Sequence, residues 1–146
     1  MERPCVKSRH FVTRKSLFLW FASILGGLFL LLGLVFVVMP KAGAAIYGVA
    51  GDGSGTLLYV RALGFRDLTL SAYLIGLAYA GSVRALAILS AATVVIPMGD
   101  MALLILSQCS SGLHYVLHAT SALCFAAMAF WGRRLIKTAS PGTTTI

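Results

Sequence analysis

Ionisable residues inside apolar segments are the feature of this sequence that could support chemistry. The chain has only four acidic residues among 146, and two of them, Asp67 and Asp100, lie within long apolar runs. Arg66 stands beside Asp67, and another apolar run contains His114 and His118. Because an ionisable side chain is costly at membrane depth, such residues usually face a bundle interior or a water-filled cavity and have a function. These residues are therefore the first candidates for a functional site.

Two carboxyl groups beside one arginine are suited to general acid–base catalysis. Burial favours a protonated carboxyl and a neighbouring guanidinium favours an ionised one, so Asp67 and Asp100 can take opposite roles. One would deprotonate water or a hydroxyl group, the other would protonate the leaving oxygen, and Arg66 would align them. Epoxide opening needs both transfers and no cofactor, and limonene-type soluble epoxide hydrolases use an Asp-Arg-Asp set on an unrelated fold. Which aspartate is the base stays open.

The elements that must position these residues are membrane helices. The chain is 59% hydrophobic and 11% charged, with a mean hydropathy of +0.91, which is outside the range of soluble domains. A membrane helix needs about 20 mostly apolar residues. Four runs meet this need, at 17–39, 56–80, 85–107 and 112–131. Because helices satisfy their own backbone groups in lipid, we predict an all-α integral membrane four-helix bundle over 17–132, with tails at 1–16 and 133–146.

The basic residues predict the orientation of the bundle. The net charge is +8, and its excess lies mostly in the two tails, which favours cytosolic termini, an even number of spans, and contact with lipid head groups rather than nucleic acid. We expect an endoplasmic reticulum or other endomembrane location, and we leave open a homo-oligomer. The first run follows a basic segment like a signal peptide, but its length favours a retained anchor. The glycine-rich segment 41–55 would be an outer loop, either a lid or a flexible connector.

Helical spacing places the polar residues on shared faces. Steps of three and four residues join Ser111, His114, Tyr115, His118 and Ser121. Steps of seven join Thr93, Asp100 and Ser107, and likewise Tyr59, Arg66 and Tyr73. Pro97 should loosen the third span one turn before Asp100. We predict a polar cavity between spans two, three and four, with span one mainly packing through its glycines.

These patterns define the candidate site. The predicted catalytic residues are Asp67, Asp100, Arg66 and His118, and the predicted substrate contacts are Tyr47, Tyr59, Arg61, Tyr73, His114 and Tyr115. The two histidines and two aspartates could also form a metal site, but we predict no metal and no cofactor. Simpler interpretations stay open, namely a structural Arg66–Asp67 pair, an Arg61 that reaches the head groups, an interfacial His114, and a His118 that is a satisfied core histidine. Cys5, Cys109 and Cys124 are expected to be apolar fillers.

Several strings resemble a family of small four-span membrane proteins that are common in fungi and bacteria and are mostly uncharacterised. The resemblance rests on Tyr59 to Leu68 (YVRALGFRDL), Ile96 to Asp100 (IPMGD), His114 and His118, and extends over about Tyr47 to Trp131. Within it, the chain is similar to small hydrolases encoded beside polyene polyketide synthases and flavin monooxygenases in fungal clusters, as for citreoviridin- and aurovertin-type pyrones. The resemblance implies epoxide opening, with Arg66, Asp67, Asp100 and His118 as functional positions.

The function predicted from the sequence is a membrane-embedded epoxide hydrolase or cyclase acting on a lipophilic, polyketide-like substrate. Two other classes stay open. Buried Asp and His side chains also relay protons, which would suit a small proton-coupled transporter. Alternatively, the Arg66–Asp67 pair could lock the helices of a non-catalytic scaffold or lipid-binding subunit.

Overall fold

The protein is entirely helical where its structure is described. A computed structural model describes residues 5–49, 53–107 and 112–139, and every regular element within them is an α-helix. The helices are α1 (Cys5–Val38), α2 (Pro40–Tyr47), α3 (Ser54–Tyr79), α4 (Val83–Thr93), α5 (Val95–Ser107) and α6 (Gly112–Ala139). The all-α prediction is therefore confirmed. Helix α1 begins within the predicted N-terminal tail, and α6 continues into the predicted C-terminal tail.

Several of these helices are long and apolar enough to cross a membrane. They are Thr13–Val38, Val83–Leu106 (α4 and α5 together) and Gly112–Thr138, counted over the described ranges. Large apolar side chains on their outer faces are exposed, such as Trp20, Leu31 and Leu123, and a bilayer would cover them. These helices indicate a multi-pass membrane protein. The helix α3 is as long, but it carries Arg61, Arg66 and Asp67 and is not among them.

The segment between the first two predicted spans is not simply a loop. The helix α1 ends at Val38, and α2 begins at Pro40, where a proline lacks only an N–H that would have no helical partner. The alanines that follow continue α2 to Tyr47. Gly48 then ends the helix with a φ of +91°, a conformation that glycine adopts without steric cost. The predicted outer loop 41–55 is therefore helical over its first half.

A break divides the third predicted span. The helix α4 ends at Thr93 and α5 begins at Val95. Pro97 has no N–H to donate to the carbonyl of Thr93, so the helix loosens one turn before the proline, as its position predicts.

The packing of the helices leaves a space in the middle of the bundle. One core cluster joins α1, α3, α4 and α6 around Phe18, Leu74, Leu86 and Met128. A second cluster joins only α1, α2 and α3 around Phe36. Around this second cluster, α1 packs along α3, and α5 packs on α6. The described residues show no comparable packing between α3 and α5. The two helix pairs therefore separate, and a cavity lies between them.

Candidate functional site

The crossing of α1 and α3 sets the position of Arg66 and Asp67. A Cβ atom on Gly33 would lie 2.9 Å from the carbonyl oxygen of Gly64, so the two backbones are in direct contact at these glycines. Asp67 follows Gly64 by less than one turn and is buried, with 2% of its surface exposed. The Nε of Arg66 donates a hydrogen bond to Oδ1 of Asp67 at 3.1 Å. The first carboxylate is therefore held at the start of the cavity by its neighbour.

The same guanidinium reaches the second carboxyl group across the cavity. Nη1 of Arg66 lies 3.4 Å from both carboxyl oxygens of Asp100 on α5. Asp100 is 7% exposed, whereas the Arg66 side chain is 31% exposed. Arg66 therefore joins two buried carboxyl groups from separate helices through different nitrogens. Its contacts with Asp100 are long for charge-assisted hydrogen bonds.

His118 approaches Asp100 from α6. Its Nδ1 lies 3.7 Å from Oδ2 of Asp100, which is beyond direct hydrogen-bonding distance. A water molecule or a ligand hydroxyl could bridge such a gap. The ring of Tyr47 lies edge-on to the His118 ring, with centroids 5.0 Å apart and an interplanar angle of 82°. Helix α2 thus contributes an aromatic side chain to the polar end of the cavity.

Tyr47 has an unpaired hydroxyl group at this end. The side chain is buried, and its Oη makes no hydrogen bond to another described residue. Of the neighbouring ionisable groups, the carboxyl of Asp100 has the largest effect on the pKa of this hydroxyl. Burial and this carboxyl raise the pKa of Tyr47 far above its ordinary value, so the phenol stays protonated as a donor. An unsatisfied buried donor costs about 1–3 kcal/mol, and a cost of this kind is often retained at functional sites.

The cavity is polar at one end and apolar elsewhere. Its volume is about 300 Å³, and it contains Tyr47, Arg66, Asp67, Asp100 and His118. Its apolar wall includes Leu25, Phe29, Leu32 and Phe125. A volume of this size is at the lower end of the range for small-molecule sites. The cavity therefore fits a compact reactive group at its polar end, with an apolar body against α1 and α6.

The cavity is lined by all of the predicted catalytic residues but by only one of the predicted substrate contacts. Arg66, Asp67, Asp100 and His118 all line the cavity. Of the predicted substrate contacts, Tyr47 also lines it. The others do not line it: Tyr59, Arg61, Tyr73, His114 and Tyr115. Among the described residues, no three His, Cys, Asp or Glu side chains are close enough together to hold a metal ion.

The five residues outside the cavity have other positions. Tyr59, Arg61 and Tyr73 are exposed on α3, and Tyr115 is partly exposed. His114 holds α2 against the start of α6, because its Nε2 lies 3.1 Å from the carbonyl oxygen of Ala45 and its ring lies against Gly48. Of the residues grouped with them by spacing, Thr93 and Ser121 line the cavity. Ser111, Cys109 and the side chains of Ser107 and Cys5 lie outside the described residues.

The sequence patterns did not predict two parts of the cavity. The helix α1 does more than pack, because Leu25, Phe29 and Leu32 form one wall, and no polar residue marks that face. Cys124 also lines the cavity. A signal for it existed, since Cys124 extends the step from His118 to Ser121 by three more residues. Asp67 and Asp100 could be found because charge is rare in apolar runs, whereas leucines among leucines carry no such signal.

The comparisons with known proteins identify the family. Residues 26–132 match the family described as Domain of unknown function (DUF4267). This chain belongs to the DUF4267 family. The matched region contains both aspartates, Arg66, His118 and Tyr47, so the polar end of the cavity lies within the family domain. Searches of the curated proteins and of the solved structures find no match to the chain.

Proposed function

We propose that this member of the DUF4267 family is a membrane-embedded enzyme that opens an epoxide of a lipophilic, polyketide-like molecule. One observation carries the proposal: Asp67 and Asp100, from different helices, are both bound by the guanidinium of Arg66 inside a mainly apolar cavity. Hydrolysis would give a diol, and attack by a hydroxyl group of the substrate would give an oxygen heterocycle.

The charges of the site support acid–base chemistry. Two buried carboxylates beside one guanidinium would leave a net negative charge in a low-dielectric space, and this is costly. The charge is balanced when one carboxyl group carries a proton. The site then presents one base and one acid at the same pH, separated by Arg66, which is the pairing that epoxide opening requires.

The walls of the cavity support a lipophilic substrate. Leu28 of α1, Ile46 of α2 and Leu117 of α6 line the cavity and are also exposed on the outside of the protein. An apolar molecule dissolved in the bilayer could therefore reach the cavity between α1, α2 and α6. Its reactive group would then lie at the polar end, where the carboxyl groups are.

The topology within the membrane is part of the proposal. Helix α3 has 26 residues, which at about 1.5 Å per residue is long enough to cross a bilayer. Asp67 is buried against the bundle, and Arg66 is bound to it and to Asp100, so their charges need not face lipid. We take α3 as a fourth span, place both termini in the cytosol, and place the protein in the endoplasmic reticulum or another endomembrane.

Turnover of model epoxides by the purified protein tests the proposed function. A panel of long-chain terminal epoxides and conjugated polyene epoxides is incubated with the protein in lipid nanodiscs, and diols are measured by mass spectrometry in ¹⁸O-labelled water. We expect incorporation of one label per diol. Asp67→Asn and Asp100→Asn should each lower the rate by about 10³-fold or more, since each removes one proton transfer.

The controls separate chemistry from folding and from the other two classes. Both variants should keep the wild-type yield and elution volume. Full activity in either one contradicts the mechanism. Proton flux in proteoliposomes without conversion of any epoxide would favour the transporter. Normal folding of an Arg66→Leu, Asp67→Leu double variant, together with no activity of the wild type on any epoxide, would favour the scaffold.

A further inference from the structure

The hydroxyl group of Tyr47 has no role in the chemistry described so far, although it lies at the reactive end of the cavity. The side chain is 5% exposed, and the hydroxyl has no hydrogen-bond partner among the described residues. Buried polar atoms are nearly always paired in folded proteins. An unpaired donor beside a carboxyl group, in a cavity that could hold a ligand, indicates that its partner belongs to the ligand.

The ring of Tyr47 is held firmly, so its hydroxyl has a defined position. It packs edge-on against Phe36, with centroids 6.3 Å apart, and edge-on against His118. Gly48 ends α2 directly after it, and the contact of the His114 ring with Gly48 keeps this end of α2 in place. A donor fixed by packing is prepared to stabilise charge that develops on a ligand.

The position of Tyr47 also distinguishes the two aspartates. Its ring lies edge-on to the ring of His118, and Nδ1 of His118 lies 3.7 Å from Oδ2 of Asp100. Asp67 contacts a different nitrogen of the guanidinium, because its Oδ1 accepts a hydrogen bond from Nε of Arg66. The cavity therefore brings Tyr47 and His118 to the carboxyl group of Asp100, whereas the hydrogen bond shown for the Asp67 carboxyl is the one from Arg66.

We propose that Tyr47 is a catalytic residue that donates a hydrogen bond to the epoxide oxygen, and that Asp100 is the acid and Asp67 the base. This inference rests on the proposed function. In the step, the water oxygen forms a bond to an epoxide carbon, and one water proton passes to the Asp67 carboxylate. The C–O bond breaks with its electron pair on oxygen, and that oxygen takes the proton of the Asp100 carboxylic acid. Passage of a proton from Asp67 back to Asp100 restores the site.

Replacement of Tyr47 by phenylalanine tests its role, because Tyr47→Phe keeps both ring contacts and removes only the donor. We expect kcat to fall by about 10²-fold, as when one donor to a developing oxyanion is removed, with little change in KM. The thermal unfolding midpoint in nanodiscs should stay equal or rise, because the variant no longer buries an unpaired hydroxyl. Tyr79→Phe is the matched control, since Tyr79 is 95% exposed, and it should change neither value.

Azide tests the assignment of the two aspartates. Azide attacks carbon without losing a proton, so it does not need a base, but the epoxide oxygen still needs an acid. In Asp67→Asn the bound azide anion also replaces the negative charge of the lost carboxylate, so Asp100 keeps its proton beside Arg66. We expect Asp67→Asn to form the azido alcohol from the epoxide that the wild type opens fastest, and Asp100→Asn to form none. A wild-type kcat in Tyr47→Phe, or a lowered unfolding midpoint, overturns the role of Tyr47. Rescue of Asp100→Asn, or failure to rescue Asp67→Asn, overturns the assignment.

The proposed function and this inference fail in different ways. If the wild type opens no epoxide, the proposed function itself is wrong. If the wild type is active and both aspartate variants are inactive, but Tyr47→Phe has full activity, then only the role of Tyr47 is wrong.

Discussion

A single arginine joins the two carboxyl groups at the polar end of the cavity. Arg66 contacts Asp67 through Nε and Asp100 through Nη1, so the planar shape of the guanidinium fixes the relative position of two carboxyl groups on separate helices. A point charge would neutralise the same carboxyl groups but could not hold them in that arrangement. The geometry of the guanidinium, and not only its charge, is therefore what the site requires.

Replacement of Arg66 by lysine separates geometry from charge. Arg66→Lys keeps one positive charge but lacks the two donors that reach Asp67 and Asp100, so we expect the protein to fold and epoxide opening to fall by about 10²-fold. Turnover and elution volume are the measurements. Arg84→Lys, at the exposed start of α4, is the matched control and should have wild-type activity. An active Arg66→Lys would mean that the site needs only the charge.

At the level of residues, the sequence predicts the charged members of the site and little of their surroundings. Asp67, Arg66 and Asp100 stand out because charge is rare in apolar runs, and His118 follows from helical spacing. Tyr59 and Tyr73 share the spacing of Arg66 by steps of seven, yet they are exposed. The step of seven returns to nearly the same face of a helix, but only the neighbouring helices decide how far along that face the cavity extends.

The close contact of two helices supports the site from a distance. At Gly33 and Gly64 the backbones of α1 and α3 touch, and each glycine lacks space for a Cβ atom. Asp67 lies just beyond this contact on α3, and the leucines of the cavity wall lie before it on α1. Any increase in the separation of α1 and α3 should therefore displace Asp67 relative to Asp100, although neither glycine lines the cavity.

Substitution at the contact tests this support. In Gly64→Val, the Cβ alone would lie 2.8 Å from a methyl carbon of Val37 and 2.9 Å from the Gly33 carbonyl oxygen. We expect a loss of about 1–3 kcal/mol in the free energy of unfolding, from overpacking, and a loss of epoxide-opening activity in the folded fraction. Gly76→Ala is the control on the same helix, because its Cβ would contact nothing within 4 Å, and it should be as active as the wild type. Unchanged stability in Gly64→Val would show that the helices can move apart freely.

At the level of elements, glycine and proline give unequal information. Pro97 predicts the break of the third span because the loss of its N–H has a direct backbone consequence. The segment 41–55 reads as a loop because glycine is frequent in it, but α2 forms over Pro40–Tyr47. That helix is stabilised by the burial of Ala44 and Tyr47 against α1 and α3, which is a tertiary effect that local composition does not contain.

At the level of the whole molecule, the number of spans decides how the site meets the two sides of the membrane. In the described part of the chain, α3 is not among the helices that have the length and hydropathy of a membrane span. If α3 nevertheless crosses, the number of spans is even and both termini lie on one side. If α3 lies along the surface instead, the termini lie on opposite sides. The charged residues of α3 lower its hydropathy. Because Arg66 and Asp67 face the cavity and pair with each other, their charges do not prevent α3 from lying within the bilayer.

Glycosylation of inserted acceptor sites distinguishes the two topologies. Asn-Ser-Thr acceptors on flexible linkers are placed at the C-terminus, between α2 and α3, and in the turn before α4, and each variant is made in microsomes. We expect glycosylation only between α2 and α3, because positive charge keeps both termini and the Arg84 turn in the cytosol. A variant that is active on epoxides serves as a check that the inserted linker leaves the fold intact. Glycosylation in the turn before α4 and at the C-terminus, as well as between α2 and α3, would mean that the chain crosses an odd number of times and that Arg66 and Asp67 enter the cavity from a helix that does not span the bilayer.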